Sequence, residues 1–191
     1  MKIGLFFGSF NPIHIGHLII ADYMATQSDM ERVWFVVSPQ NPFKKKTTLA
    51  NDYQRLHLVR MAVQDNPDLE ASKIEFGLPQ PSYTIDTLAH LREQHPEHEF
   101  SLIMGGDNLV QLHKWKNYEQ ILKYYSIYVY RRPGANTDVK LATHPSVTLL
   151  DAPLMELSAS EVRRRIKAGL STRYILPDAI REEIDKSGLY R

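Results

Sequence analysis

The sequence predicts an α/β fold in which helices cover both faces of a doubly wound parallel sheet. Three observations lead to this prediction: strand-like and helix-like segments alternate along the chain, the strand-like segments are continuous apolar runs, and polar loops with glycine or proline follow them. Continuous apolar runs are typical of strands buried on both faces. Alternation of strands and helices is typical of parallel sheets, because each crossover helix packs against the sheet.

The first half of the chain alternates three times between strand and helix. Short apolar runs predict strands at residues 2–7 (KIGLFF) and 32–37 (RVWFVV), with a weaker strand at 73–76. Apolar residues at helical spacing predict helices at 16–27 and 51–64, and a further helix is predicted at 82–93, after the prolines at 79 and 81.

The second half continues the pattern and ends in two helices. Strands are predicted at 100–104 (FSLIM), 126–130 (SIYVY) and 147–150, and helices at 108–113, 118–124, 158–168 and 177–186. We find no internal repeat, low-complexity tract or long linker. The expected architecture is therefore a Rossmann-like sheet with C-terminal helices that complete a single domain over residues 1–191.

Composition narrows the function classes. The 191 residues carry a formal net charge of +1, with 43% hydrophobic and 24% charged residues, as is ordinary for a globular protein. This near-neutral charge argues against a nucleic-acid or membrane partner. The chain has no cysteine, which excludes disulfides and thiolate metal sites. No stretch is long and apolar enough for a membrane span, so we expect a cytoplasmic protein.

Irregular polar loops follow four of the predicted strands. They read GSFNPIHIGH after the first strand, SPQNPFKKK after the second, GGDN after residues 100–104 and RRPG after residues 126–130. Ligands of open α/β sheets bind outside the carboxyl ends of the strands, where the strand order reverses. We therefore expect these four loops to line one rim and to form a ligand site.

The loop after the first strand has the chemistry of a polyphosphate site. Gly8 lets a ligand approach the backbone closely, and Pro12 prevents the helix from starting early. His14 and His17 are three residues apart, so both imidazoles can face one anion. The helix that follows presents its free N–H groups and the positive end of its dipole to the same place.

A second phosphate-binding segment is predicted near the end of the chain, where residues 157–163 read LSASEVR. Ser158 and Glu161 have the spacing of a capping box at a helix N-terminus. Ser160 and Arg163 would then offer a hydroxyl and a guanidinium group to phosphate oxygens.

These segments resemble known nucleotidyltransferase motifs. HIGH at 14–17 resembles the H-x-G-H signature of that superfamily, and LSASEVR resembles its late motif. Within the superfamily the chain resembles the nicotinate mononucleotide adenylyltransferase family, through SYTIDTL at 82–88, GDN at 106–108 followed by Trp115, and RPG at 132–134. The sequence departs from the family pattern at Asn11, at Ala159, in the NPFKKK loop and at Lys116.

The resemblance implies an activity and a set of site residues. The activity is the joining of nicotinate mononucleotide to the AMP part of ATP, which gives nicotinate adenine dinucleotide and pyrophosphate in NAD biosynthesis. The catalytic residues implied are His14, His17 and Arg163. The ATP-binding residues implied are Gly8, Ser9, Phe10, Gly106, Asp107, Arg132, Ser158 and Ser160. The mononucleotide-binding residues implied are Asn41, Lys44, Tyr83, Thr84 and Trp115.

The resemblance also implies Mg²⁺, held mainly by the ATP phosphates and water. We expect no protein-held metal site, because the sequence shows no compact set of carboxylates. The expected partners are ATP and nicotinate mononucleotide, and homo-oligomer formation is left open. Three alternatives remain: another adenylyl- or cytidylyltransferase of the superfamily, a non-catalytic nucleotide sensor, and, less consistent with the charge, a nucleic-acid-binding module.

Overall fold

A six-stranded parallel sheet organises the chain. The computed structural model describes residues 1–39, 49–131, 140–153 and 155–191. The strands are β1 (Lys2–Gly8), β2 (Arg32–Val37), β3 (Leu69–Ser72), β4 (Glu99–Gly105), β5 (Ser126–Tyr130) and β6 (Val147–Leu150). Their order is β3-β2-β1-β4-β5-β6, and every neighbouring pair is parallel. In this register Phe6 of β1 lies between Phe35 of β2 and Ile103 of β4.

Helices occupy the crossovers between the strands. The α-helices are α1 (Ile15–Gln27), α2 (Asp52–Val63), α3 (Thr84–Gln94), α4 (Gly106–Gln111), α5 (Tyr118–Tyr124), α6 (Ala159–Lys167) and α7 (Asp178–Ser187). Short 3₁₀ helices span Ile74–Gly77, Leu112–Lys114 and Lys140–Thr143. Within the described ranges, no helix is long and apolar enough to cross a membrane.

Each face of the sheet has its own hydrophobic core. Phe6 and Phe35 pack on one face with residues of α1, α2, α6 and α7, such as Met24 and Leu56. Leu5 and its neighbours pack on the other face with residues of α3, α4 and α5. Successive residues of one strand thus enter opposite cores, as the pleat of a strand requires. The predicted doubly wound sheet is confirmed.

One predicted strand is wrong. Residues 73–76 were expected to be extended, but β3 ends at Ser72 and Ile74–Gly77 form a 3₁₀ helix. The strand segment Leu69–Ser72 instead pairs with Val33–Val36 of β2. The alternation Ile74-Glu75-Phe76 resembles a half-exposed strand, yet its polar member, Glu75, is buried. A buried hydrogen-bonded carboxyl therefore overrides the apparent period of the sequence.

The strand order reverses beside β1. The chain moves from β1 to β2 and β3 on one side, then crosses to β4 on the other side of β1. The loops after β1 and β4 therefore flank the point at which ligands bind in open α/β sheets. This arrangement places the motif after β1 next to the Gly-Gly-Asp segment after β4.

Candidate active site

The loop after β1 is built around a buried aromatic ring. Phe10 has a positive φ of 43° and its side chain is buried. A Cβ at Gly8 would lie 2.8 Å from the Phe10 ring, so only glycine leaves room for that ring. Phe10 meets the His17 ring edge-on, with centroids 5.1 Å apart and an interplanar angle of 82°. The Phe10 side chain thus supports the His17 ring. The backbone of Ser9 and Phe10 forms the loop itself.

The two histidines stack on each other at the start of α1. Their ring centroids are 3.7 Å apart and the planes are inclined by 20°. The backbone N–H of His14 donates to Nδ1 of His17 over 3.3 Å. Because Nδ1 of His17 accepts, a neutral His17 ring carries its proton on Nε2. His14 is only 4% exposed, whereas His17 is half-buried, so His17 is the more accessible of the two imidazoles.

Gly16 explains the spacing of the H-x-G-H segment. A Cβ at this position would lie 3.2 Å from Nδ1 and Cε1 of His14 and 3.9 Å from Cβ of Leu157. The His14 ring therefore rests on the bare backbone of α1. Leu157 is the first residue of the late motif, so Gly16 lies where the segments from the two ends of the chain meet.

The late motif binds the first loop directly. Nη1 of Arg163 donates to the carbonyl oxygen of Asn11 over 2.7 Å, and Nη2 donates to Oγ of Ser160 over 3.1 Å. Asn11 lies three residues before His14, so the guanidinium group and the imidazoles converge on one side of the molecule. This convergence is the central spatial requirement of a triphosphate site.

The predicted capping box of α6 is only half present. Oγ of Ser158 accepts the N–H of Glu161 over 3.2 Å, as expected for an N-cap. The Glu161 carboxylate does not complete the box; it pairs with Arg164 and Arg165 at 2.7 and 3.0 Å. Two nearby guanidinium groups attract a carboxylate more strongly than a single backbone N–H group does. They lower the pKa of Glu161 to about 2.

The segment after β4 enters the same rim. Gly106 is buried and Asp107 is exposed in the first turn of α4, directly after β4 ends at Gly105. Because β4 adjoins β1, this turn lies beside the loop that carries the histidines.

A lysine joins the two segments predicted for the mononucleotide. Nζ of Lys116 lies 2.8 Å from Oδ2 of Asp86 and 4.9 Å from the centroid of the Tyr83 ring. The start of α3, with Tyr83 and Thr84, is thereby held against the segment that carries Trp115. The Trp115 ring is half-buried and packs partly against the core on that face of the sheet. The structure therefore assembles the SYTIDTL segment and the tryptophan segment into one region.

A buried arginine that the sequence analysis missed connects the loops after β1 and β2. Arg55 of α2 is 0% exposed. Its guanidinium group donates to the carbonyl oxygens of Ser9 and Ser38, the latter over 3.0 Å, to that of Ala50 over 3.1 Å, and to the Asp52 carboxylate over 2.7 Å. One side chain thus fixes the loop after β1, the end of β2 and the approach to α2.

A buried glutamate extends this network to α3. Glu75 is 3% exposed, and its Oε1 accepts the Thr87 hydroxyl of α3 over 2.9 Å. Burial raises the pKa of Glu75, although hydrogen bonds from the Ser38 and Thr87 hydroxyls act in the opposite direction. Ser38 contacts both Arg55 and Glu75, so a continuous chain of contacts runs from the loop after β1 to α3.

Comparison with known proteins identifies the family. The cytidylyltransferase-like family model matches residues 5–165. The chain is 54% identical to a probable nicotinate-nucleotide adenylyltransferase of Flavobacterium psychrophilum, with 100% of both chains covered. It is 40% identical to one from Exiguobacterium sibiricum, over 100% of this chain and 99% of that protein. The chain belongs to the nicotinate-nucleotide adenylyltransferase family.

A solved structure confirms the fold. The structure is that of the Plasmodium falciparum nicotinic acid mononucleotide adenylyltransferase complexed with NaAD, which superimposes with a TM-score of 0.83. The match covers 99% of this chain and 97% of that chain, at 18% identity. At such identity the likeness concerns the fold, so residue roles must come from the geometry of this chain.

The structure brings several of the predicted site residues together. His14 and His17 stack on each other, and Arg163 contacts both Ser160 and the Asn11 carbonyl beside them. Gly106 and Asp107 follow the neighbouring strand β4, and Lys116 links the segment of Tyr83 and Thr84 to that of Trp115. Asn41, Lys44 and Arg132 lie outside the described residues. The signal that could have revealed Arg55 is weak: a single arginine among apolar positions of α2 resembles any surface charge of an amphipathic helix.

Proposed function

We propose that this chain transfers AMP from ATP to nicotinate mononucleotide and releases pyrophosphate. The observation that carries the proposal is the 2.7 Å hydrogen bond from Arg163 to the Asn11 carbonyl, beside the stacked imidazoles of His14 and His17. This contact joins the early and late motifs at the point where the strand order reverses. Membership of the nicotinate-nucleotide adenylyltransferase family supports the same reaction.

The chemistry explains why the site contains donors and cations. The 5′-phosphate oxygen of the mononucleotide attacks the α-phosphorus of ATP; a new P–O bond forms, and the bond to the β-phosphate oxygen breaks with its electron pair on pyrophosphate. The nucleophile is already an anion, so the reaction needs no strong base. Alignment of two reactants can supply about 7–11 kcal/mol, and donors aimed at the phosphoryl oxygens supply much of the remainder.

The geometry suits His17 to the reacting phosphate. Its Nδ1 is occupied by the His14 N–H, which directs the Nε2 proton away from the loop backbone and toward a ligand. His14, the N-terminal amides of α1 and the Arg163 guanidinium would hold the remaining oxygens of the triphosphate. Ser158 and Ser160 would bind the outer phosphates at the start of α6.

The nucleoside part of ATP would lie along the loops after β1 and β4. Gly8, Ser9 and Phe10 would present backbone, and Asp107 with Gly106 would meet a ribose hydroxyl. Arg132 is assigned to the ATP side through the family resemblance alone.

Mg²⁺ fits this site as a companion of ATP. Within the described residues, the only group of three His, Asp or Glu side chains close enough to share a metal ion is at residues 95–98, which precede the amino end of β4, whereas the motifs follow the carboxyl ends of the strands. Around the motifs the donors are imidazoles, hydroxyls and a guanidinium group, which suit phosphate oxygens better than Mg²⁺. The ion would neutralise charge on the triphosphate, while the chain itself binds and orients that triphosphate.

The mononucleotide would bind between α3 and the tryptophan segment. Trp115 offers a face for the pyridine ring, with Tyr83 beside it. Backbone N–H groups near Thr84 and after Trp115 would receive the nicotinate carboxylate, and the NPFKKK loop, through Asn41 and Lys44, would contact the phosphate. Amide donors favour a carboxylate over a neutral carboxamide, so we assign the acid mononucleotide as substrate. A cytoplasmic location is proposed as well, since both substrates are soluble metabolites.

The deciding experiment supplies the purified chain with Mg²⁺-ATP and either nicotinate or nicotinamide mononucleotide, and separates the products by chromatography. We expect the dinucleotide and pyrophosphate in equal amounts, with kcat/KM at least about ten-fold higher for the acid, because a hydrogen bond to a charged group contributes about 1.5–3 kcal/mol. ATP binding without pyrophosphate release would contradict the proposal and favour a nucleotide sensor. Turnover with CTP or with another acceptor phosphate, but not with nicotinate mononucleotide, would assign a different transferase.

A further inference from the structure

The turn between α3 and β4 carries a second cluster of chemically active side chains. His95, Glu97 and His98 follow the end of α3 and precede the first residue of β4. They lie at the amino ends of the strands, whereas the phosphate-binding motifs follow the carboxyl ends of β1 and β4. The cluster and the proposed nucleotide site therefore lie at opposite ends of the strands.

The ligand atoms of this cluster have the separations of a metal site. Oε1 of Glu97 is 3.6 Å from Nδ1 of His95 and 3.3 Å from Nε2 of His98, and one donor atom from each residue lies within 4.8 Å of the other two. Tetrahedral zinc bonds of about 2.0–2.2 Å place neighbouring ligand atoms roughly 3.3–3.6 Å apart. Two of the three separations already match this geometry, and a small ring movement would close the third.

The two imidazoles are held in place by packing. Their planes differ by 6°, with centroids 5.6 Å apart. Trp34 meets both rings edge-on, at 5.7 Å for His95 and 6.4 Å for His98, and Phe100 meets His98 at 6.1 Å. The His98 side chain is only 14% exposed. Since the rings are already ordered, a metal ion would bind without the full entropic cost of fixing them.

We propose that His95, Glu97 and His98 bind one divalent transition metal ion, with zinc preferred and water at the fourth position. Two imidazoles and one carboxylate are a ligand set typical of zinc, and they suit later first-row metals far better than Mg²⁺, which requires oxygen ligands. The bound ion links the end of α3 to the start of β4. The site is thus a structural clip that is distinct from Mg²⁺-ATP binding, and it revises the expectation that the protein itself holds no metal.

The test uses the untagged full-length chain after treatment with a chelator. Zn²⁺ is titrated by calorimetry, and Co²⁺ is titrated while tryptophan fluorescence is followed. We expect one equivalent of metal to bind, and Co²⁺ to quench Trp34, which lies within about 6 Å of the ligand rings. Zinc at about 100 times its dissociation constant should raise the melting temperature by roughly 5–10 °C.

Matched variants locate the ion. His95→Ala and Glu97→Gln change exposed or half-buried side chains, so they should fold while weakening zinc binding at least ten-fold and abolishing the Co²⁺ quench. His90→Ala, on α3 outside the cluster, should leave both unchanged. The proposal is overturned if the wild-type chain binds no zinc below millimolar concentration. It is equally overturned if His95→Ala binds zinc as tightly as the wild type, since the ion would then occupy another place, such as the His14–His17 pair.

Discussion

The proposed nucleotide site and the layer of side chains beneath it use polar groups in different ways. The imidazole of His17 and the guanidinium group of Arg163 lie in this site and belong to short motifs at helix N-termini. Arg55 and Glu75 are buried, and each joins segments that are distant in sequence. The first pair would act on the ligand, and the second pair positions the loops that carry the first. Different residues thus contact the substrate and position the loops. Substitutions can therefore test the two roles separately.

The largest effect is expected at His17, the more accessible imidazole. His17→Ala removes the Nε2 donor and should lower kcat about 10²–10³-fold, as the loss of one preorganised donor to a phosphoryl transition state typically does. Its melting temperature should change little. His57→Ala, on the exposed face of α2, is the control and should keep full activity. Near-normal turnover of His17→Ala in the adenylyl-transfer assay would remove the role assigned to this ring.

The next effect is expected at Arg55, which has no assigned contact with substrate. Arg55→Lys keeps the charge but cannot reach the carbonyls of Ser9 and Ser38 together, so buried acceptors lose their donors at about 1–3 kcal/mol each. We expect a lower free energy of urea unfolding and a roughly ten-fold lower kcat/KM for ATP under conditions where the variant is folded. Arg60→Lys, exposed on the same helix, should change neither quantity.

The relation between the two readouts is decisive for Arg55. If the folded Arg55→Lys variant loses stability but retains the wild-type kcat/KM, Arg55 is a structural residue without influence on the active-site loops, and the proposed difference between contact and alignment fails at this position.

The same difference determines how much the sequence could predict. The sheet and the helix N-termini that carry the two motifs could be predicted because apolar runs and helix-start signals are local. The half-formed capping box could not be predicted, because whether the Glu161 carboxylate binds a backbone N–H group or the two arginines depends on the folded helix. Arg55 and Glu75 escaped prediction because their partners lie on other segments: nothing near Glu75 in sequence indicates that Thr87 and Ser38 surround it.

A smaller effect is expected where Lys116 joins the mononucleotide segments. Asp86→Asn removes the carboxylate 2.8 Å from Nζ of Lys116. Because exposed ion pairs contribute at most about 1 kcal/mol, KM for nicotinate mononucleotide should rise no more than about five-fold, while kcat and KM for ATP stay constant. Glu93→Gln, exposed on the same helix, is the control. An equal rise in KM for both substrates would show that Asp86 influences the whole cleft and not the pyridine side alone.

The smallest effect on catalysis is expected at Glu75, where the change is visible in pH dependence. Burial raises the pKa of this carboxyl group in the folded chain above its ordinary value. The folded state therefore binds more protons than the unfolded state between the two pKa values, and the stability that Glu75 contributes falls as pH rises through the folded pKa.

Glu75→Gln keeps an acceptor for Thr87 and removes the titration. The difference in unfolding free energy between variant and wild type should thus increase with pH above about 4.5, by up to about 1.4 kcal/mol per pH unit. Urea unfolding at pH 4.5–8, with exposed Glu70→Gln as the control, measures this difference. If this difference in unfolding free energy stays constant or decreases with pH, Glu75 is ionised in the folded chain at little cost. The buried layer would then carry charge, as the proposed nucleotide site does.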